Sequence, residues 1–161
     1  PVYGPNEGDD LIGVVIVHGS EGPMAGWAHR FAAILAGHGM LALPIGYGLG
    51  DVWGAGPIRD VNLGVIPRAL SALADHPRCR GAGVFGWSRG GEMVLLAASL
   101  FGADAIPCVA AHAPSDVVVN AFDPAAMCAG EDRHQLGHGL DFDREPELWA
   151  RLIAFFEGAL P

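Results

Sequence analysis

The chain has 161 residues, 51% of them hydrophobic, and a mean hydropathy of +0.32; this excludes a disordered chain and suits a single domain over residues 1–161 with a core of its own. Eighteen Asp and Glu against nine Lys and Arg leave a net charge of −9, which excludes nucleic acid and an anionic membrane surface as partners, because both reward clustered cations. No apolar run reaches the ~18 residues of a membrane span, and the polar opening with Asn6, Glu7, Asp9 and Asp10 predicts no secretory leader.

Gly13–Val17 is a β-branched run that reads as a first strand ending at His18-Gly19. A helix is predicted from Trp27 to Ala36, closed by Gly37 and Gly39. Met40–Leu43 reads as a second strand ended by Pro44, and the Gly-rich residues 46–57 as a loop. Arg59–Ala74 reads as a second helix, kinked or split by Pro67. Gly83–Phe85 is a third strand running straight into Gly86-Trp87-Ser88. Arg89–Leu100 follows as an apolar helix ended by Gly102, and Ile106–Ala110 as a fourth strand. Between Asp116 and Gly139 the periodicity breaks down, with Val117–Val119 fit to extend a strand and Ala125–Ala129 a weak one. The last element is a helix capped by Asp143, with Pro146 and Glu147 in its first turn and an apolar stripe of Leu148, Leu152, Phe155 and Phe156. Continuous apolar strands separated by helices predict an α/β fold, a parallel sheet with helices on both faces. Three cysteines, Cys79, Cys108 and Cys128, are too sparse for a disulfide framework; they fit a reducing, cytoplasmic setting.

Gly86-Trp87-Ser88-Arg89-Gly90 has the form G-x-S-x-G. Its spacing has a steric reason: a serine on a sharp strand-to-helix turn stands above the sheet, and glycines two residues to either side let strand and helix pass closely. A predicted strand precedes the motif and a predicted helix follows it, the context such a nucleophile needs. The helix N-terminus beside the serine favours developing negative charge. His18-Gly19-Ser20-Glu21-Gly22 follows the first strand, where the loop that supplies one oxyanion-hole N–H belongs. That donor is Ser20 in preference to Glu21, and the second is the N–H of Arg89, directly after the nucleophile.

With these residues in view, the sequence resembles dienelactone hydrolase-like proteins, close to the C-terminal domain of acyl-CoA thioesterases and bile-acid acyltransferases. The resemblance rests on His18-Gly19-Ser20, on the run from Gly83 to Glu92, on Ala97–Phe101, on Ala113–Asp116 and on Gly137–Phe142. It implies an α/β-hydrolase fold, a nucleophile, acid and histidine in that chain order, and an ester, lactone or thioester substrate. It implies no metal and no organic cofactor. Dienelactone hydrolases proper carry cysteine as nucleophile; serine at position 88 points to the esterase and thioesterase side. Position 138 follows position 88 by only 50 residues, fewer than the family uses for the strands and helix that precede its histidine. The expected fold is therefore a reduced α/β-hydrolase, and the sheet edge it exposes predicts a homo-oligomer.

Seven histidines compete for the role of base. His29, His38 and His76 fall within or at the ends of predicted helices, His18 reads as a structural residue of the oxyanion loop, and His112 follows the fourth strand. His134 and His138 lie in the late loop, and His138, between two glycines just before the last helix, fits the triad order. Serine needs such a base because its hydroxyl is a poor nucleophile. For the acid that orients the imidazole, Asp132 is the first candidate; Asp116 is the fallback, and loss of the acid with the shortened segment stands beside them. Cys128, His134 and His138 match no trusted zinc spacing. Trp87 lines an acyl pocket or simply packs. The functional expectation is a serine hydrolase of the Ser-Asp-His type acting on a small acyl ester or thioester; the alternatives are a degenerate, non-catalytic binding domain and an acyltransferase.

Overall fold

The computed structural model describes residues 1–19, 22–23, 26–47, 61–112 and 146–160. Four strands form one parallel sheet: β1 (Leu11–Val17), β2 (Leu41–Ile45), β3 (Cys79–Trp87) and β4 (Val109–His112), in the order β2-β1-β3-β4. The helices are α1 (Trp27–Gly37), α2 (Val65–Ala74), α3 (Arg89–Phe101) and α4 (Pro146–Ala159). Side chains alternate across the sheet, and both sides are apolar. Ile12, Val14, Ile16, Phe85 and Trp87 pack with α1 and α4, whereas Val15, Val17, Ala82 and Val84 pack with α2 and α3. This doubly covered sheet explains why the strands read as unbroken hydrophobic runs.

The elements depart from the sequence reading where proline is involved. Pro44 does not end the second strand; it pairs opposite Ile16 inside β2. β2 is a terminal strand of the described sheet, so a missing N–H there breaks no second ladder. Pro67 does not kink a long helix. It stands at the third position of α2, in the first turn, where helical N–H groups lack intrahelical partners anyway. β4 starts at Val109, two residues beyond Pro107, although the Val84 N–H already reaches the Cys108 carbonyl at 2.9 Å.

The N-terminal residues are fastened to this frame. Tyr3 forms an antiparallel bridge with Ala42 of β2, and its hydroxyl meets His29 Nδ1 at 2.9 Å. The Arg78 guanidinium donates to the carbonyls of Pro5, Glu7 and Gly8 at 2.6–2.9 Å. No helix among the described residues is long and apolar enough to cross a membrane.

Candidate active site

In an open parallel sheet, a crevice forms where neighbouring strands send their connections to opposite faces. That point lies between β1 and β3: β1 leads to α1 on one face and β3 to α3 on the other. Val17 pairs with Gly86 at the C-terminal ends of the two strands, so His18-Gly19 and Trp87-Ser88 emerge side by side.

Ser88 sits between β3 and α3 with φ 51° and ψ −121°. Asp10 is the other described non-glycine residue with positive φ. Such a backbone costs a residue with a side chain about 1–3 kcal/mol and is retained when the surroundings impose it. Here both flanking glycines impose it. A Cβ on Gly86 would run into the carbonyl of Gly90, and one on Gly90 would strike the carbonyls of Val17 and His18. Strand, turn and helix are thus in backbone contact at the motif, which only glycine permits. The Ser88 hydroxyl makes no capping bond to the first turn of α3.

Arg89 is the first residue of α3, a position whose N–H has no carbonyl partner within the helix. Its side chain is exposed and paired with Glu92 at 2.5 Å, so only its backbone suits an oxyanion role. Trp87 turns into the core, edge-on to Phe31 with ring centroids 5.9 Å apart; it packs. Cys79 and Cys108 are free thiols, and burial pushes both above the ordinary thiol range. Neither is a thiolate nucleophile near neutral pH.

His18 is 3% exposed and is the residue for which the sequence carried the least chemical detail. Its ring stacks on Tyr47, 4.2 Å between centroids and 10° between planes. The Tyr47 N–H donates to His18 Nε2 at 3.3 Å, which places the imidazole proton on Nδ1, and Nδ1 donates to the Gly19 carbonyl at 2.6 Å. Tyr47 escaped the sequence reading because it lay in the predicted loop 46–57; an aromatic between Gly46 and Gly48 was the available signal. His29 and His76 are half-buried, and His38 is exposed with Nδ1 donating to the Ile34 carbonyl at the end of α1. The backbone of His112 closes β4, opposite Trp87. Ser20, Glu21, Asp116, Cys128, Asp132, His134, His138 and Asp143 lie outside the described residues.

The chain matches no family model and no curated protein. Among solved structures it is similar to brefeldin A esterase, a bacterial homologue of human hormone-sensitive lipase, with a TM-score of 0.54 and 21% identity over 67% of this chain and 33% of that one. The likeness shows an α/β-hydrolase fold. This chain spans about a third of that esterase's length.

Proposed function

From that fold and the strained Ser88 turn, we propose that the protein is a serine hydrolase that cleaves a carboxylic ester or thioester through an acyl-enzyme on Ser88. The observation that carries this reading is the Ser88 backbone, held at φ 51° between two glycines that tolerate no Cβ. The esterase activity in the name of the structural neighbour supports it. Motif residues 83–92 carry the narrower affinity to dienelactone hydrolase-like proteins.

In the proposed reaction, His138 Nε2 takes the Ser88 proton as Oγ attacks the acyl carbonyl. The N–H groups of Ser20 and Arg89 hold the resulting oxyanion, and each such donor contributes about 10²–10³ in kcat. Asp132 orients the imidazole and stabilises its charged form. The tetrahedral adduct then expels the alcohol or thiol, which leaves with the proton from His138. Water, deprotonated by the same histidine, attacks the acyl-enzyme and releases the acid. The substrate is a small acyl ester or thioester, and the working unit is a homo-oligomer.

Hydrolysis of p-nitrophenyl acetate by wild type and Ser88→Ala tests the reading. The expected result is turnover in the wild type and a fall to background, 10³-fold or more, in the variant. Equal background rates in both would replace it with a non-catalytic binding domain. Release of an acylated acceptor in place of free acid, when an alcohol or amine is added, would make the enzyme an acyltransferase.

A further inference from the structure

The helix that starts at the nucleophile has two unlike sides. Gly90, Gly91, Val94 and Ala97 of α3 are buried, the last two among side chains of β1 and β3. Leu95, Leu96 and Leu100 are exposed, as is Phe101 at the end of the helix. Residues three and four apart share a helix face. Arg89, Glu92, Leu96 and Leu100 therefore form one stripe, with Leu95 along its flank. The stripe changes character along its length. Its N-terminal end carries the exposed Arg89–Glu92 ion pair, and its middle is apolar. Past the Gly102 cap stands Asp104, exposed and in no ion pair among the described residues.

We infer that this stripe is the face on which two copies of the chain dimerise, with their α3 helices antiparallel about a two-fold axis. An apolar patch rimmed by charge marks a contact surface, and its occupant must suit the rim as well as the middle. In a two-fold pair the same patch meets itself. Leu96 and Leu100 are one turn apart, so the axis that seats each on its counterpart in the other copy passes midway, at the level of position 98. Glu92 and Asp104 then stand six positions to either side of that level. The register set by the leucines thus brings the partner's Asp104 to the Arg89–Glu92 pair. Arg89 gives one guanidinium nitrogen to Glu92 and keeps further donors for a second carboxylate. A parallel pairing would set Asp104 against the partner's Asp104, a repulsion that selects the antiparallel arrangement. The partner thereby reaches the residue next to Ser88. The inference rests on the homo-oligomer of the proposed function and names its face and symmetry.

Cross-linking and charge exchange test the register. Ser99 is exposed one position from the level of the axis, so Ser99→Cys brings two thiols within disulfide reach across it. In a Cys128→Ser background under mild oxidation, the expected result is a covalent dimer for Ser99→Cys and none for Ser71→Cys on the exposed side of α2. Sedimentation over a concentration series is expected to show Asp104→Arg weakening the dimer about fivefold, as for an exposed ion pair. Adding Arg89→Glu to that variant is expected to restore the affinity. Cross-linking through Ser71→Cys but not Ser99→Cys overturns the inference. So does an Asp104→Arg variant that dimerises as tightly as the wild type, or a double variant no tighter than the single one. A mass of one chain at every concentration overturns it too; if Leu96→Glu then lowers the melting temperature by several degrees, the face is covered by the chain itself. None of these readouts is activity. An unreactive Ser88 would therefore sink the hydrolase reading and leave the dimer standing, while a failed cross-link would do the reverse.

Discussion

At Ser88, a side chain that the proposed chemistry needs stands on a backbone that side chains resist. Removing the hydroxyl while keeping Cβ leaves the strain in place; removing Cβ relieves it. Ser88→Gly is therefore expected to melt a few degrees above Ser88→Ala, from a backbone preference of about 1–2 kcal/mol, while both are inactive. Differential scanning calorimetry of the two variants checks this; an equal or lower melting temperature for Ser88→Gly would show that the turn is not strained. Much of this residue-scale picture was legible because G-x-S-x-G is a local steric pattern. Both glycines and the serine sit where the spacing placed them. The His18–Tyr47 stack was not legible, since its members are 29 positions apart, and only the neighbouring course of β1 and β2 unites them. The acid Asp132, the base His138 and the donor Ser20 lie outside the described residues and remain proposals.

α4 illustrates why an apolar stripe is harder to read than a motif. Leu148, Leu152, Phe155 and Phe156 were the expected core face. Leu152 and Phe156 are indeed buried, but Phe155 is 43% exposed, and Trp149 and Leu160 are buried with the core instead. Two adjacent phenylalanines cannot both face inward on a helix, and sequence alone does not choose between them. The fold does: Phe156 lies over Gly83 of β3, where an added Cβ would stand 2.6 Å from the phenyl ring. Phe156→Ala is expected to cost about 3–5 kcal/mol, whereas Phe155→Ala stays within about 0.5 kcal/mol. Urea midpoints of the two variants provide the measurement, and similar values would refute the docking of α4 through Phe156. Strands were more readable than helix faces because a doubly covered strand is apolar at every position. Their ends were not, since Pro44 in β2 and Pro107 before β4 act through pairing partners that the local sequence does not reveal.

At the scale of the molecule, the described structure is asymmetric about its sheet. α3 buries Val94 and Ala97 but turns Leu95, Leu96, Leu100 and Phe101 outward, each at least 42% exposed. An acidic protein with an apolar helix face beside the β4 end of its sheet is expected to self-associate. Light scattering coupled to gel filtration should give a mass above 16.7 kDa, and Leu96→Glu with Leu100→Glu should return it to the monomer. A wild-type monomer would remove the oligomer from the proposal. The opposite end of the sheet is guarded differently. Tyr3 occupies the backbone of Ala42, Pro44 withholds a donor, and Arg78 pins the carbonyls that precede the first strand. Among the described residues, one side of the sheet is thus adhesive and the other is guarded. Units with a single sticky side close on each other about a two-fold axis and stop, while units with two can add without limit. The tether at residues 3–8, remote in sequence from Ser88, would in this sense keep the proposed assembly finite: its mass should plateau at twice the chain as concentration rises, where an untethered edge would let it grow.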